Sequence, residues 1–413
     1  MAPLSPSLLM LTPFVLLLTA IAVGPLWFST WWARHYPKVV GVLSGVVVLY
    51  YVFGLQATAE LGETLHEYVS FIILIGSLFV VSGGIHIDIQ GKATPASNVL
   101  FLLIGAVAAN LLGTTGASML LIRPWLRLNR ARGSGHHLVF FIFIVANVGG
   151  CLTPIGDPPL FLGYLSGVPF WWVTVHCLPM WCVGVGLLLA AFFIIDCKSH
   201  LQARKQFSIA PGNDERWRIR GGQNFFFLAV ILGAALLSRP PFLRESLMLA
   251  AVFGSYYTTA KSVHEANHFN WGPIREVAIL FAGLFATMMP ALDWLQLHAS
   301  KIGHATPAFF YFGSGGLSSV LDNAPTYLCF LKTIRTLDPV SHPFTTDYLT
   351  AISVGAVFFG AATYIGNGPN LMVKAIAEEE KVNVPNFLAY IFNYTFPFLL
   401  PMLLIVGWLF FRG

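Results

Sequence analysis

Apolar runs long enough to cross a bilayer recur along the whole chain between short polar stretches, as in "LLMLTPFVLLLTAIAVG", "FIILIGSLFVV" and "FPFLLPMLLIVGWLFF". Helices of roughly 20 apolar residues span a membrane. The pattern predicts ten spans, near 8–28, 38–56, 67–88, 138–165, 170–195, 223–238, 246–260, 273–293, 347–375 and 387–411. Two further segments, 97–126 and 306–335, each set two apolar limbs around a small polar tip, "GTTGAS" in one and "LDNAPT" in the other. The limbs are too short to cross, so both segments are predicted to be re-entrant hairpins. Two of the spans are themselves interrupted, 138–165 by "TPIGDPP" and 347–375 by "TYIGNGPN".

The two halves repeat. "ILIGSLFVVSGGI" lies over "ILFAGLFATMMPA", "NLLGTTGASML" over "SSVLDNAPTYL", and "GCLTPIGDPPL" over "GAATYIGNGPN", with an offset that drifts from 206 to 210 residues. Each half holds five crossings, one hairpin and one discontinuous helix. An odd number of crossings turns the second half upside down relative to the first. The expected fold is an all-α polytopic membrane protein of two inverted repeats, 1–195 and 223–413, joined by a basic linker, 196–222.

Composition agrees. Of 413 residues 56% are hydrophobic and 10% charged, and mean hydropathy is +0.72. Soluble domains are nearer a quarter charged. Basic residues cluster at Arg123, Arg127, Arg130 and Arg132, and again at Lys198, Arg204, Lys205, Arg216, Arg218 and Arg220. Both clusters are expected on the cytoplasmic face of the inner (cell) membrane, with "RHYPK" (34–38), Lys261 and Arg275. Glu60, Glu63, His66 and Glu67 then read as an external loop, His86 and Asp88 as a span end, and both termini as external. The first apolar run is followed, not preceded, by basic residues, unlike a cleaved signal peptide. The five cysteines have neither metal nor disulfide spacing. The partners expected are lipid and a small ion or solute, with no nucleic acid, no cofactor and no enzymatic site.

In hydrocarbon an unpaired backbone group is costly, so a broken helix survives only where protein, water or an ion satisfies it. The two breaks, with Gly156 and Gly366 at their turns, therefore read as two mid-membrane sites. Their freed carbonyls suit a small cation and their half-helix N-termini an anion. Asp157 lies in the first break and Asp322 at the second tip; their repeat partners are the neutral Asn367 and Thr114. An intramembrane carboxylate is a functional hypothesis by default, and these two are the candidate binders of a proton and a monovalent cation such as Na+. Lys332 and Lys374, just past the second hairpin and break, either snorkel or pair with a core carboxylate.

At "NVGGCLTPIGD" and "VLDNAPT" the chain resembles the ion transporter superfamily of citrate, arsenite and sodium/proton carriers, most of all its D-type sodium/proton antiporters. The resemblance implies a homodimer with a scaffold and an elevator-like transport domain. It implies one ion site from Asn110, Thr114, Thr115 and Ser118 with Thr153 and Asp157. A second would use Asp322, Asn323 and Thr326 with Thr363, Asn367 and Asn370. Cation/proton antiport leads; Na+- or H+-coupled symport of an organic anion such as citrate, and arsenite-type efflux, remain alternatives.

Overall fold

The computed structural model describes residues 5–90, 94–130, 135–207, 216–237, 242–298, 306–337 and 346–412. Arg132, Asp338 and the middle of the basic linker, 208–215, lie outside the described residues. The chain is mostly helical: α1 (Thr12–Trp27), α2 (Ser29–Leu49), α3 (Thr58–Gly83), α4 (Pro95–Leu128), α5 (Gly135–Ile144), α6 (Pro158–Leu165), α7 (Trp172–Phe207), α8 (Asn224–Ala235), α9 (Leu243–Thr258), α10 (Lys261–Ala266), α11 (Gly272–His298), α12 (Pro307–Ser318), α13 (Asn323–Leu337), α14 (Thr346–Phe359), α15 (Gly368–Glu379), α16 (Phe387–Tyr390) and α17 (Leu400–Phe410). Among the described residues, eight helical stretches are long and apolar enough to cross a membrane, and Asn224–Ala235 and Thr346–Ala362 are shorter apolar helices.

Three local expectations change. The turn after the first span falls at Phe28, so 34–38 lies within α2 and not in a loop. Glu60, Glu63, His66 and Glu67 likewise sit on the first turns of α3. In both places the helix runs on past its apolar part with an exposed polar face, and carboxylates near a helix N-terminus are favoured by its dipole. His86 and Asp88 do not end a helix. They lie on a strand, β1 (His86–Gln90), paired antiparallel with β2 (Arg216–Arg220), His86 opposite Arg220 and Gln90 opposite Arg216. "HIDIQ" and "RWRIR" alternate with the period of two that suits a strand. The fold is therefore helical with one small ribbon, rather than all-α.

The segment 95–128 is helical on both sides of Gly113, whose φ of 72° and ψ of 156° are not. Glycine adopts such a positive φ without steric cost. The two ends of α4 meet, with Asn98 and Asn129 exchanging amide hydrogen bonds at 2.8 and 3.2 Å, so the chain doubles back at Gly113. The second candidate hairpin is two helices, α12 and α13, with a turn at 319–322.

α3 packs against α4, α8, α9 and α11; α11 packs on α2 and α13; α12 lies along α14. The helices that lead into the two breaks are the most enclosed. Residues 136–144 of α5 and 349–359 of α14 are buried throughout, which explains why both read as apolar all round.

Candidate functional site

The two breaks share one backbone path. After α5 comes a short 3-10 turn, Val148–Leu152, then an extended Thr153 (φ −138°, ψ 155°), then Asp157 (φ −142°, ψ 144°) as N-cap of α6. After α14 comes Gly360–Ala362, then an extended Thr363 (φ −140°, ψ 168°), then Asn367 (φ −152°, ψ 141°) as N-cap of α15. Each half-helix carries proline in its first two positions, where a missing N–H costs nothing.

Each break is stitched to the neighbouring tip by matched bonds. The Thr153 hydroxyl donates to the Asn110 carbonyl (2.6 Å), and the Thr363 hydroxyl to the Ser319 carbonyl (2.6 Å). The Thr114 backbone N–H donates to the Gly156 carbonyl at 2.7 Å, joining the first tip to the first break. Gly156 is packed so closely that a Cβ there would lie 2.0 Å from the Gly150 carbonyl oxygen. Gly366 is similarly enclosed, by the Gly360 and Ser318 carbonyls.

Several of the freed carbonyls are bonded within the protein. In the first break Gly149 accepts from the Asn110 amide and the Trp181 indole, and Leu152 from Thr174. In the second, Gly360 and Thr363 accept from the Asn370 amide, Ala361 from Tyr390 and Ala362 from Thr395. Protein donors already occupy these oxygens. What stands out instead is a carboxylate.

Asp157 is 1% exposed. Its Oδ1 accepts from the Thr114 hydroxyl (2.8 Å) and the Asn367 amide (3.0 Å), and its Oδ2 from the Asn323 amide (2.6 Å). Those donors come from the first tip, the second break and the second tip, so all four motifs meet at one side chain. Its donors are neutral, and among the described residues no Lys or Arg forms an ion pair with it. Asn323 is fully buried, and its Oδ1 accepts from no group among the described residues. Ser118 is buried with its hydroxyl likewise unpaired. A cavity of about 20 Å³ beside Asp157 is lined by Thr114, Thr115, Gly156 and apolar residues of α3, among them Phe71, Leu74 and Leu78. That volume holds a water or a bare cation, since one water needs roughly 10–15 Å³.

The residues assigned to the second site divide. Asn323 and Asn367 turn to Asp157. The Asp322 carboxylate instead accepts the Ala324 N–H (3.1 Å), as a helix-capping carboxylate does, and the Thr326 hydroxyl bonds the Asp322 carbonyl. Asp322 remains within electrostatic reach of Asp157. Lys374 pairs with Glu378 (3.1 Å) and overlies the Tyr364 ring. Lys332 lies within electrostatic reach of Glu67 and Asp293 on α3 and α11.

Asn147 was not singled out from the sequence, yet it links the halves. Its amide donates to Ile142 O (2.8 Å) and Asn370 Oδ1 (2.7 Å), and its Oδ1 accepts from Asn367 (3.1 Å). The available signal was an amide inside an apolar run, the same kind of cost that drew attention to Asp157.

The family described as "Putative citrate transport" matches residues 4–411. The chain belongs to that family. Two relatives, uncharacterized transporters of Mycobacterium bovis and Mycobacterium tuberculosis, are each 25% identical to it over 295 residues, covering 68% of this chain and 68% of the relative. With its apolar helices, membership makes this citrate-transport family protein an integral membrane transporter and not an enzyme.

Proposed function

We propose that the protein is a secondary active transporter that exchanges a monovalent cation, Na+ or Li+, for protons, with Asp157 as the group that binds one or the other. The observation that carries this reading is the buried Asp157 carboxylate held by three neutral donors from both halves. A carboxylate so placed is stable either protonated or paired with a cation. The small cavity lined by Asp157 supplies room for a bare ion, and the Asn323 amide that bonds Asp157 has an Oδ1 with no donor among the described residues. Asp322 adds negative field at the second tip.

In this reading the repeats are inverted and the two tips re-enter the membrane. The tips and broken helices move together past a scaffold of outer helices in a homodimer of the inner membrane. The shared backbone path of the two breaks supports a common origin for the halves. Sites built from discontinuous helices whose half-helix N-termini point at the bound group recur in secondary transporters, which supports this reading.

A second reading, cation- or proton-coupled symport of citrate or a related carboxylate, is favoured by the family match. There Asp157 binds the coupling ion, and the hydroxyl-bearing first tip faces the solute.

The test is a pH-dye assay on purified protein in proteoliposomes under an imposed pH gradient. Dissipation by Na+ or Li+ in the absence of carboxylates supports antiport. No cation response, together with Na+- or H+-dependent uptake of labelled citrate, overturns it in favour of symport.

A further inference from the structure

Away from the breaks, three titratable side chains converge in a place that transport chemistry at Asp157 does not use. His136 and His137, on the first turn of α5, both aim Nε2 at the same oxygen of Asp196 on α7, at 3.3 and 2.9 Å. All three are buried, at 6%, 3% and 0% exposure. Their ligand atoms lie within 4.8 Å of one another. The other Asp196 oxygen accepts from the Asn98 amide at 2.9 Å, and Asn98 is itself held by Asn129. Both rings pack against Phe192, and His137 also meets Trp125 edge-on.

From this geometry we infer that His136, His137 and Asp196 form a binding site for a divalent transition-metal ion, Zn2+ or one of similar preference. Two imidazoles and a carboxylate are the donor set that such ions take in preference to Mg2+ or Ca2+. Ligand atoms held at about 2.0–2.1 Å by one tetrahedral zinc lie roughly 3.3 Å apart, close to the two Nε2–Oδ1 separations here, 3.3 and 2.9 Å. Neighbouring residues on a helix point about 100° apart, yet both imidazoles reach one carboxylate. The Asn98 amide fixes the carboxylate from behind, as outer partners of metal ligands do. The ion would tie the start of α5 to α7 and, through Asn98, to both ends of α4. α5 leads directly into the first break, about 15 Å along its axis, so the metal braces the base of the element that carries Asp157. No step at Asp157 depends on it.

The test is titration of Co2+ into the full-length, chelator-stripped protein in detergent, read by visible d–d absorption and by metal content after desalting. One Co2+ per chain, displaced by Zn2+, is expected. His137→Gln and Asp196→Asn should weaken binding by more than the roughly 10–100-fold expected of the outer-shell change Asn98→Ala. His136→Gln, which leaves the Asn98–Asp196 contact in place, is the variant to read if the others do not stay monodisperse. No stoichiometric binding to the wild type, or binding unchanged in His136→Gln and His137→Gln, overturns the site and leaves a metal-free hydrogen-bonded cluster.

Discussion

The amide of Asn367 donates to Asp157 Oδ1 across 3.0 Å, although the two residues stand 210 positions apart. They are the positions that the internal repeat lays over one another, and each is the N-cap of the second half of its broken helix. The N-terminal ends of two half-helices therefore face one carboxylate, a favourable setting for negative charge. Removing the amide in Asn367→Ala should weaken the ionised carboxylate. A hydrogen bond to a charged group contributes about 1.5–3 kcal/mol, so apparent Na+ or Li+ affinity should fall by roughly tenfold or more. Concentration dependence of cation-driven dye recovery in proteoliposomes measures it.

Asn323 and Asp322 are neighbours with different tasks. Asn323 both donates to Asp157 and carries the unpaired Oδ1, whereas Asp322 caps the helix that presents it. Asn323→Ala should cost more cation affinity than Asp322→Asn, which keeps an acceptor for the Ala324 N–H and removes only a charge acting at a distance. The same assay compares them, and equal losses would count against the assignment.

Gly156→Ala places a methyl group 2.0 Å from the Gly150 carbonyl oxygen, where only backbone could give way. Overpacking usually costs about 1–3 kcal/mol, and this contact should reach or exceed the upper end. Gly368, at the start of α15, has nothing within 4 Å of the same construction. Gly368→Ala should therefore change stability by less than about 1 kcal/mol. Thermal unfolding of both variants in detergent separates crowding from loss of glycine as such.

Asn370 does not touch Asp157. It holds the Gly360 and Thr363 carbonyls and accepts from Asn147. Asn370→Ala leaves those buried groups unpaired, each at about 1–3 kcal/mol. The melting temperature should fall clearly, while Asp157→Asn, with its donors still partly matched, should fall less. A ranking in the other order would place the structural weight of the breaks at Asp157.

Much of this was legible because punctuation is loud in an apolar chain. "TPIGDPP" and "TYIGNGPN" put prolines and glycines where a span should be continuous, and the helices end there. Asp157 was visible for the same reason: a carboxylate in hydrocarbon has few explanations. What was missed is neutral or distant. Asn147 adds no charge, and its side-chain partners Asn367 and Asn370 lie more than 200 residues away. Asp196 lies 60 and 59 residues beyond His136 and His137, so no local spacing reveals the three together. The family resemblance grouped Asn323 and Asn367 with Asp322, but the halves interlock and the amides cross to Asp157. Charged helix ends at 34–38 and 60–67 read as loops because hydropathy falls there, although an exposed helix face tolerates charge.

The most direct measurement follows protons as cation binds. Na+ or Li+ is added to the purified protein in weakly buffered detergent solution, and released protons are read with a soluble pH dye. If Asp157 binds proton and cation in competition, cation releases protons from the wild type and from Asp322→Asn, but not from Asp157→Asn. Release that persists in a monodisperse Asp157→Asn protein, or that is lost in Asp322→Asn alone, would contradict the assignment of the exchange to Asp157.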